Sequence, residues 1–128
     1  MANNLSDYLE DEILDHILGI GSWTMPTSVK LGLFTTDPGE ATGGAEVSGG
    51  SYARQTVAFD ASAAGASHNT AEIAFPVATA AWGTIGWVVI YNAATENRLW
   101  HGPLTATKTI GIDDQFKMAA GTLNVSID

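Results

Sequence analysis

The chain has 128 residues, the length of one domain, and a formal net charge of −9, the wrong sign for nucleic acid, whose phosphates need Lys and Arg to neutralise them. Apolar residues make up 45%, which sets the chain apart from disordered ones and supports an independent core. Cysteine is absent, so disulfides, thiolate metal sites and thiol catalysis are excluded.

Met1 to Asn4 read as a loose tail. The acidic opening MANNLSDYLEDE lacks the basic and apolar character of a secretory signal, so none is expected. No apolar run approaches the roughly 18 residues of a membrane span, and no membrane role is expected. Residues 5–18 predict the one helix. Leu5, Leu9, Ile13 and Ile17 recur every four residues with Leu14 and Leu18 beside them, an apolar stripe at helical period. Ser6 or Asp7 can cap its start, Asp7 and Glu10 fit a capping box, and Gly19 and Gly21 end it. Asp7, Glu10, Asp11, Glu12 and Asp15 crowd this helix, with no base before Lys30. They read either as a solvated face or as a negative patch for a basic surface on a partner. With no Lys to offset these acids, packing must hold the helix, against its own sheet or another chain.

Ser22 to Thr27 form a connector, since Pro26 bars further helix. Residues 29–128 then predict a β-sandwich. Val29 to Phe34 alternate as a strand, and Thr36-Asp37-Pro38-Gly39 signals a turn. The glycine-rich stretch 39–50 has almost nothing bulky and reads as a long mobile loop. Tyr52 to Phe59 resume strand character, Asp60 to Ser67 read as a loop or weak edge strand, and Ala71 to Phe75 alternate until Pro76.

Thr84 to Tyr91 are rich in β-branched and aromatic residues, with Ile85, Trp87, Val89 and Tyr91 alternating against Gly86, Val88 and Ile90. Both sets are largely apolar, so this strand is expected at the sheet centre, covered on both faces. The turn Asn92 to Asn97 returns the chain into Arg98 to Gly102, with Leu99 and His101 on one face and Arg98 and Trp100 on the other. Three of the four tryptophans lie in or beside this hairpin. Thr105 to Ile112, Gln115 to Met118 and Leu123 to Ile127 complete the strands. The fold class is mainly β, an antiparallel β-sandwich or flattened barrel of about seven or eight strands with one N-terminal α-helix.

Chemistry-bearing motifs are sparse. His16, His68 and His101 share no ligand spacing for a metal. Asp113-Asp114 and Asp37 to Glu40 lack the alternating oxygens of a calcium loop and fit turn chemistry. No Gly-x-Ser-x-Gly occurs, and the paired glycines precede no Lys-Ser/Thr of a phosphate loop. Asn124-Val125-Ser126 matches a glycosylation sequon, but it lies within an expected strand. No catalytic residues and no cofactor are expected. An enzyme or small-ligand site would need a pocket lined by His101, Asp113 or Asp114, whereas a carbohydrate-binding module would display Trp23, Trp82 or Trp100 as exposed coplanar rings.

The segments LSDYLEDEILDHILG, VKLGLFTTDP, EVSGGSYARQTVAF, FPVATAAWGTIGWVVIYNA and LWHGPLT resemble a family of small tailed-phage and prophage virion structural proteins. Its members are commonly labelled phage tail fibre proteins, and some relatives act as capsid cement or decoration proteins. The resemblance covers nearly the whole chain, and it implies a non-enzymatic virion structural protein without catalytic residues. The chain carries no elongating repeat of the kind a fibre shaft uses, which ranks capsid decoration on the outer shell first and a tail fibre or minor tail protein, with a host-surface or carbohydrate-binding role, second. The expected partners are itself, as a homodimer or homotrimer, and the phage major capsid protein, or tail proteins in the second reading. Leu9, Ile13, Ile17, Trp23, Arg54 and Trp82 are the interface candidates. For Arg54 an ion pair within the chain, and for Trp82 a place in the core, are the competing roles.

Overall fold

A computed structural model describes residues 4–127. It shows a mainly β protein with one N-terminal helix, as the alternation and the single helical stripe predict. Nine strands are found among the described residues. In chain order they are β1 (Asn4–Leu5), α1 (Asp7–Ile17), β2 (Val29–Phe34), β3 (Gln55–Val57), β4 (Ala66–His68), β5 (Ile73–Ala74), β6 (Gly83–Asn92), β7 (Arg98–Ile110), β8 (Lys117–Met118) and β9 (Asn124–Ser126). Five form one antiparallel sheet in the order β1-β7-β6-β2-β3, and β4-β9 and β5-β8 form two short ribbons.

The main core joins the sheet to the ribbons. Leu31, Leu33, Ile85, Val88, Ile90 and Leu99 of the sheet pack with Ile73, Met118 and Val125 of the ribbons, around Phe75, Phe116 and Leu123. Phe75 meets Phe116 edge-on at 5.6 Å and lies stacked on Tyr52 at 6.0 Å. Such pairs add to the area that the rings bury. The opposite face of the sheet holds a second, smaller cluster of Phe34, Val89 and Tyr91 with Trp87 beside it. β6 is therefore covered on both faces, as expected.

Two irregularities alter the expected faces. A register shift between Ile85 and Trp87 breaks the alternation of β6. Ile85 joins Val88 and Ile90 in the main core, while Trp87, Val89 and Tyr91 stay on the other side. A second shift, between Ile90 and Tyr91, leaves Leu99 as an extra residue on β7. Leu99 and Trp100 both turn to the main core, whereas Arg98 lies opposite Tyr91 and His101 opposite Val89. A β-bulge adds a residue to one strand and so breaks strict period two. The two expected β runs flanking Pro103 are one continuous strand, β7.

The N-terminus departs from expectation too. Met1 to Asn3 of the expected tail lie outside the described residues, and Asn4 with Leu5 forms an edge strand opposite His101 and Trp100. The helix starts two residues later than its stripe indicates. Ser6 caps it, its hydroxyl accepting from the Leu9 N–H at 3.2 Å and donating to the Arg98 carbonyl. The helix ends at Ile17, with Gly19 in the left-handed region at φ +76°.

The stretch 39–50 is not the unattached loop that its glycines predict. It folds back along β2, with the Thr35 N–H to the Ala45 carbonyl, the Val47 N–H to the Leu33 carbonyl, and Phe34 bridged to Glu46. Val47 is buried in the main core. Asp60 to Ser67 close as a turn, and Ala66 to His68 pair with β9.

Candidate functional site

The largest polar concavity lies over the second face of the sheet. It is a cleft of about 450 Å³, with Tyr8, Glu40, Glu46, Arg54, Tyr91 and Arg98 among its lining residues. The sheet supplies Tyr91 from β6 and Arg98 from β7, opposite one another in register. The folded-back glycine-rich stretch supplies Glu40 and Glu46, and the chain entering β3 supplies Arg54.

Arg54 organises this cleft. Its Nε and Nη2 donate to the two Glu46 carboxylate oxygens at 2.9 and 2.8 Å, a bidentate pair. Its guanidinium lies over the Tyr91 ring at 3.6 Å from the centroid, and Nη1 approaches Glu96 at 3.6 Å. Tyr52 donates its hydroxyl proton to Glu46 Oε2 at 2.7 Å and accepts the Leu33 N–H at 2.9 Å. Burial alone would raise the Glu46 carboxyl, but the hydrogen bonds from Arg54 and Tyr52 outweigh it and hold the group below its ordinary value. Burial pushes the Tyr52 and Tyr91 phenols up, and the hydrogen bond to Glu46 raises Arg54 further. The network thus fixes one charge state, with Glu46 ionised and both phenols neutral.

Arg98 is also engaged within the chain. Nη1 and Nη2 donate to the Pro38 and Gly43 carbonyls, each at 3.0 Å, and the guanidinium sits 5.0 Å from the centre of the Phe34 ring. It clamps the turn of the glycine-rich stretch onto the second face. Sequence reasoning missed this residue, although its place in the central hairpin opposite an aromatic strand was a usable signal. Both arginines spend donors on this chain's own carboxylates and carbonyls.

The interface candidates separate into four groups. Leu9 and Trp82 are buried in the main core, so neither side chain is free to meet another chain. Trp82 packs edge-on to Tyr52 at 5.4 Å and donates its Nε1 proton to the Gly50 carbonyl at 2.9 Å. Ile13 and Trp23 are half-buried against the same core, and the Trp23 N–H reaches His16 Nδ1 at 3.2 Å. Arg54 takes the internal ion pair. Ile17 alone is exposed, at 72%, and Leu14, Leu18, Ile20 and Met25 nearby in the chain are exposed too. Only Leu5, Leu9 and Ile13 of the expected stripe pack on the body. Beyond Ile13 the apolar side chains of α1 are exposed, and in the connector Trp23 returns to the core.

No exposed coplanar tryptophan platform appears, since Trp82 is buried and Trp23 and Trp100 are half-buried. Trp100 instead walls an apolar crevice of about 210 Å³ with Val29, Phe59, Ser67, Ile90 and Val125. His101 is buried with Nε2 unpartnered among the described residues, and it does not line the polar cleft. Asp113 and Asp114 are exposed. Among the described residues no group of three or more His, Asp or Glu is placed to hold a metal ion. Among the described residues no helix is long and apolar enough to cross a membrane.

No curated protein matches the chain. Residues 4–126, all but the extreme ends, match one family, whose description is podophage GP4 fiber I protein gp80. The match spans α1, the arginine cleft, the central hairpin and both ribbons, so it covers the whole described body. It agrees with the resemblance of the LSDYLEDEILDHILG and WGTIGW segments to phage virion structural proteins, and with the tail fibre label of that group. The chain belongs to the podophage GP4 fiber I protein gp80 family.

Proposed function

We propose that this protein is a non-catalytic structural subunit of a phage tail fibre, present in the virion as a symmetric dimer or trimer. The observation that carries this is the family match over residues 4–126, whose description names a fibre protein. It reverses the order reached from sequence, in which capsid decoration came first. The absence of an elongating repeat bears only on a shaft. A compact sandwich serves as a joint or attachment piece, where rigidity matters and length does not.

The use of the polar groups supports a structural role. In the largest polar cleft, Arg54 and Arg98 hold Glu46, Pro38 and Gly43 of the same chain. Both Glu46 carboxylate oxygens and two donors of each arginine are held by partners within the chain, which supports a structural use of these groups.

Location and copy number test the reading. Quantitative mass spectrometry of purified particles, with gold-labelled antibody in electron microscopy, is expected to show a few copies per particle at the tail. Hundreds of copies spread over the head would overturn the fibre reading and restore capsid decoration.

A further inference from the structure

The exposed half of α1 combines two features that together specify a partner. Leu14, Ile17 and Leu18 lie at helical spacing, and Ile20 and Met25 follow them after the helix, all between 56% and 77% exposed. Asp7, Glu10 and Asp11 stand seven, four and three residues before Leu14, so helical spacing puts them on the same face, and Asp15 flanks it. All four acids are exposed, and none is ion-paired among the described residues. The helix therefore presents an apolar end with an acidic approach.

A second copy is a poor fit to this surface. Two-fold contact would bring together two copies of a patch bordered by exposed, unpaired acids and no base, so like charge meets like. Contact with another side of a second copy needs basic groups, of which the chain has five. Arg54 is paired with Glu46, Arg98 is committed to backbone carbonyls, and Lys108 donates to the Lys117 carbonyl and sits 5.1 Å from the centre of the Phe116 ring. Lys30, in β2 of the five-stranded sheet, and Lys117, in the β5-β8 ribbon, are what remains. Like charge across an interface disfavours the wrong partner, and opposite charge steers the right one.

We infer that the C-terminal half of α1 is the docking face for a different virion chain, one with an apolar groove bordered by Lys and Arg. This rests on the fibre reading and names the contact by which the subunit is held. Leu14, Ile17 and Leu18 enter the groove as helix-in-groove anchors, and the acids N-terminal to them meet its basic rim.

The test uses the full-length protein and phage particles assembled with it. A photoreactive benzophenylalanine at position 17 is expected to cross-link to another virion protein, at a segment containing Lys or Arg. Ile17→Asp and Leu18→Asp are expected to lower incorporation about tenfold or more while leaving the melting temperature unchanged, because both positions are solvent-exposed. Asp11→Asn combined with Asp15→Asn is expected to weaken binding and flatten its salt dependence. A cross-link from position 17 to a second copy of this chain overturns the inference. So does normal incorporation of Ile17→Asp and Leu18→Asp together. A protein present at the tail with no cross-link from position 17 overturns the docking face and leaves the fibre reading intact. A protein absent from the particle overturns both.

Discussion

Gly32 lies so close to Tyr91 that a Cβ added to it would stand 2.9 Å from the ring's Cε2. The same atom would stand 2.8 Å from Glu46 Oε2 and 3.3 Å from the Tyr52 hydroxyl. The bare backbone at Gly32 thus lets the Arg54–Glu46 pair settle onto the sheet beside Tyr91. Gly32→Ala is expected to lower unfolding stability by about 1–3 kcal/mol, the usual cost of overpacking. Urea titration checks it, and an unchanged midpoint would mean that the network relaxes around a methyl group.

Glu46 gives the protein a defined acid sensitivity. Its carboxyl is held below the ordinary value of 4.5 in the folded state. A lowered folded pKa contributes stability above the unfolded value, and that stability is lost as pH falls through the folded value. Glu46→Gln is expected to cost about 2 kcal/mol at neutral pH through its charge-assisted hydrogen bonds. The gap between variant and parent should close as pH drops below 4.5. Parallel stability curves from neutral pH to about pH 3 would show that Glu46 is not the linked group.

Ser6 ties α1 to β7. Its hydroxyl caps the helix at Leu9 and donates to the Arg98 carbonyl, and its own N–H goes to the Leu99 carbonyl. Ser6→Ala is expected to cost about 1 kcal/mol or somewhat more, since it removes a cap and strips a carbonyl of its side-chain donor. Amide hydrogen exchange should quicken across α1 more than across β6. Equal changes in both would place the effect on the global fold.

Trp82 and Gly50 are coupled through one hydrogen bond. The indole Nε1 donates to the Gly50 carbonyl, and Gly50 sits at φ +58° with room for no Cβ beside Nε1 at 2.9 Å. Trp82→Phe is expected to lose about 2 kcal/mol from the missing bond and unfilled volume. Gly50→Ala is expected to lose a similar amount, about 1–3 kcal/mol, from the left-handed backbone and the close contact. Because the two act on one contact, the double variant should lose less than the sum. Strict additivity in thermal melts would show that they act separately.

Much of the architecture was legible. Val29 to Phe34 read as a strand because apolar residues alternate there, and β2 has those bounds. Thr84 to Tyr91 read as the sheet centre because both faces are apolar, and β6 sits between β2 and β7 with a cluster on each side. Leu123, Val125 and Ile127 alternate, and β9 lies there. The arginine cleft was only half legible. Arg54 beside a strand start suggested an internal pair, but its partner Glu46 lay in a glycine-rich stretch with no strand signal, and Arg98 gave no sign that it would reach back to Pro38.

The sequence by itself determined the local preferences: a helix after Ser6, turns at Asp37-Pro38-Gly39 and Asn92 to Asn97, alternating strands, and a surplus of acid on the first helix. These depend on neighbours a few residues apart, through backbone sterics and side-chain period. Tertiary structure alone decided which apolar residues are covered. Leu9 and Ile17 share one stripe at one spacing, yet Leu9 is fully buried and Ile17 is 72% exposed. The difference comes from β7 and the strands behind it, which lie some ninety residues further along the chain and reach only the first turns of the helix. Periodicity reports that residues point the same way. Whether a surface waits for them depends on where distant strands end, and that is set by the packing of the whole sheet.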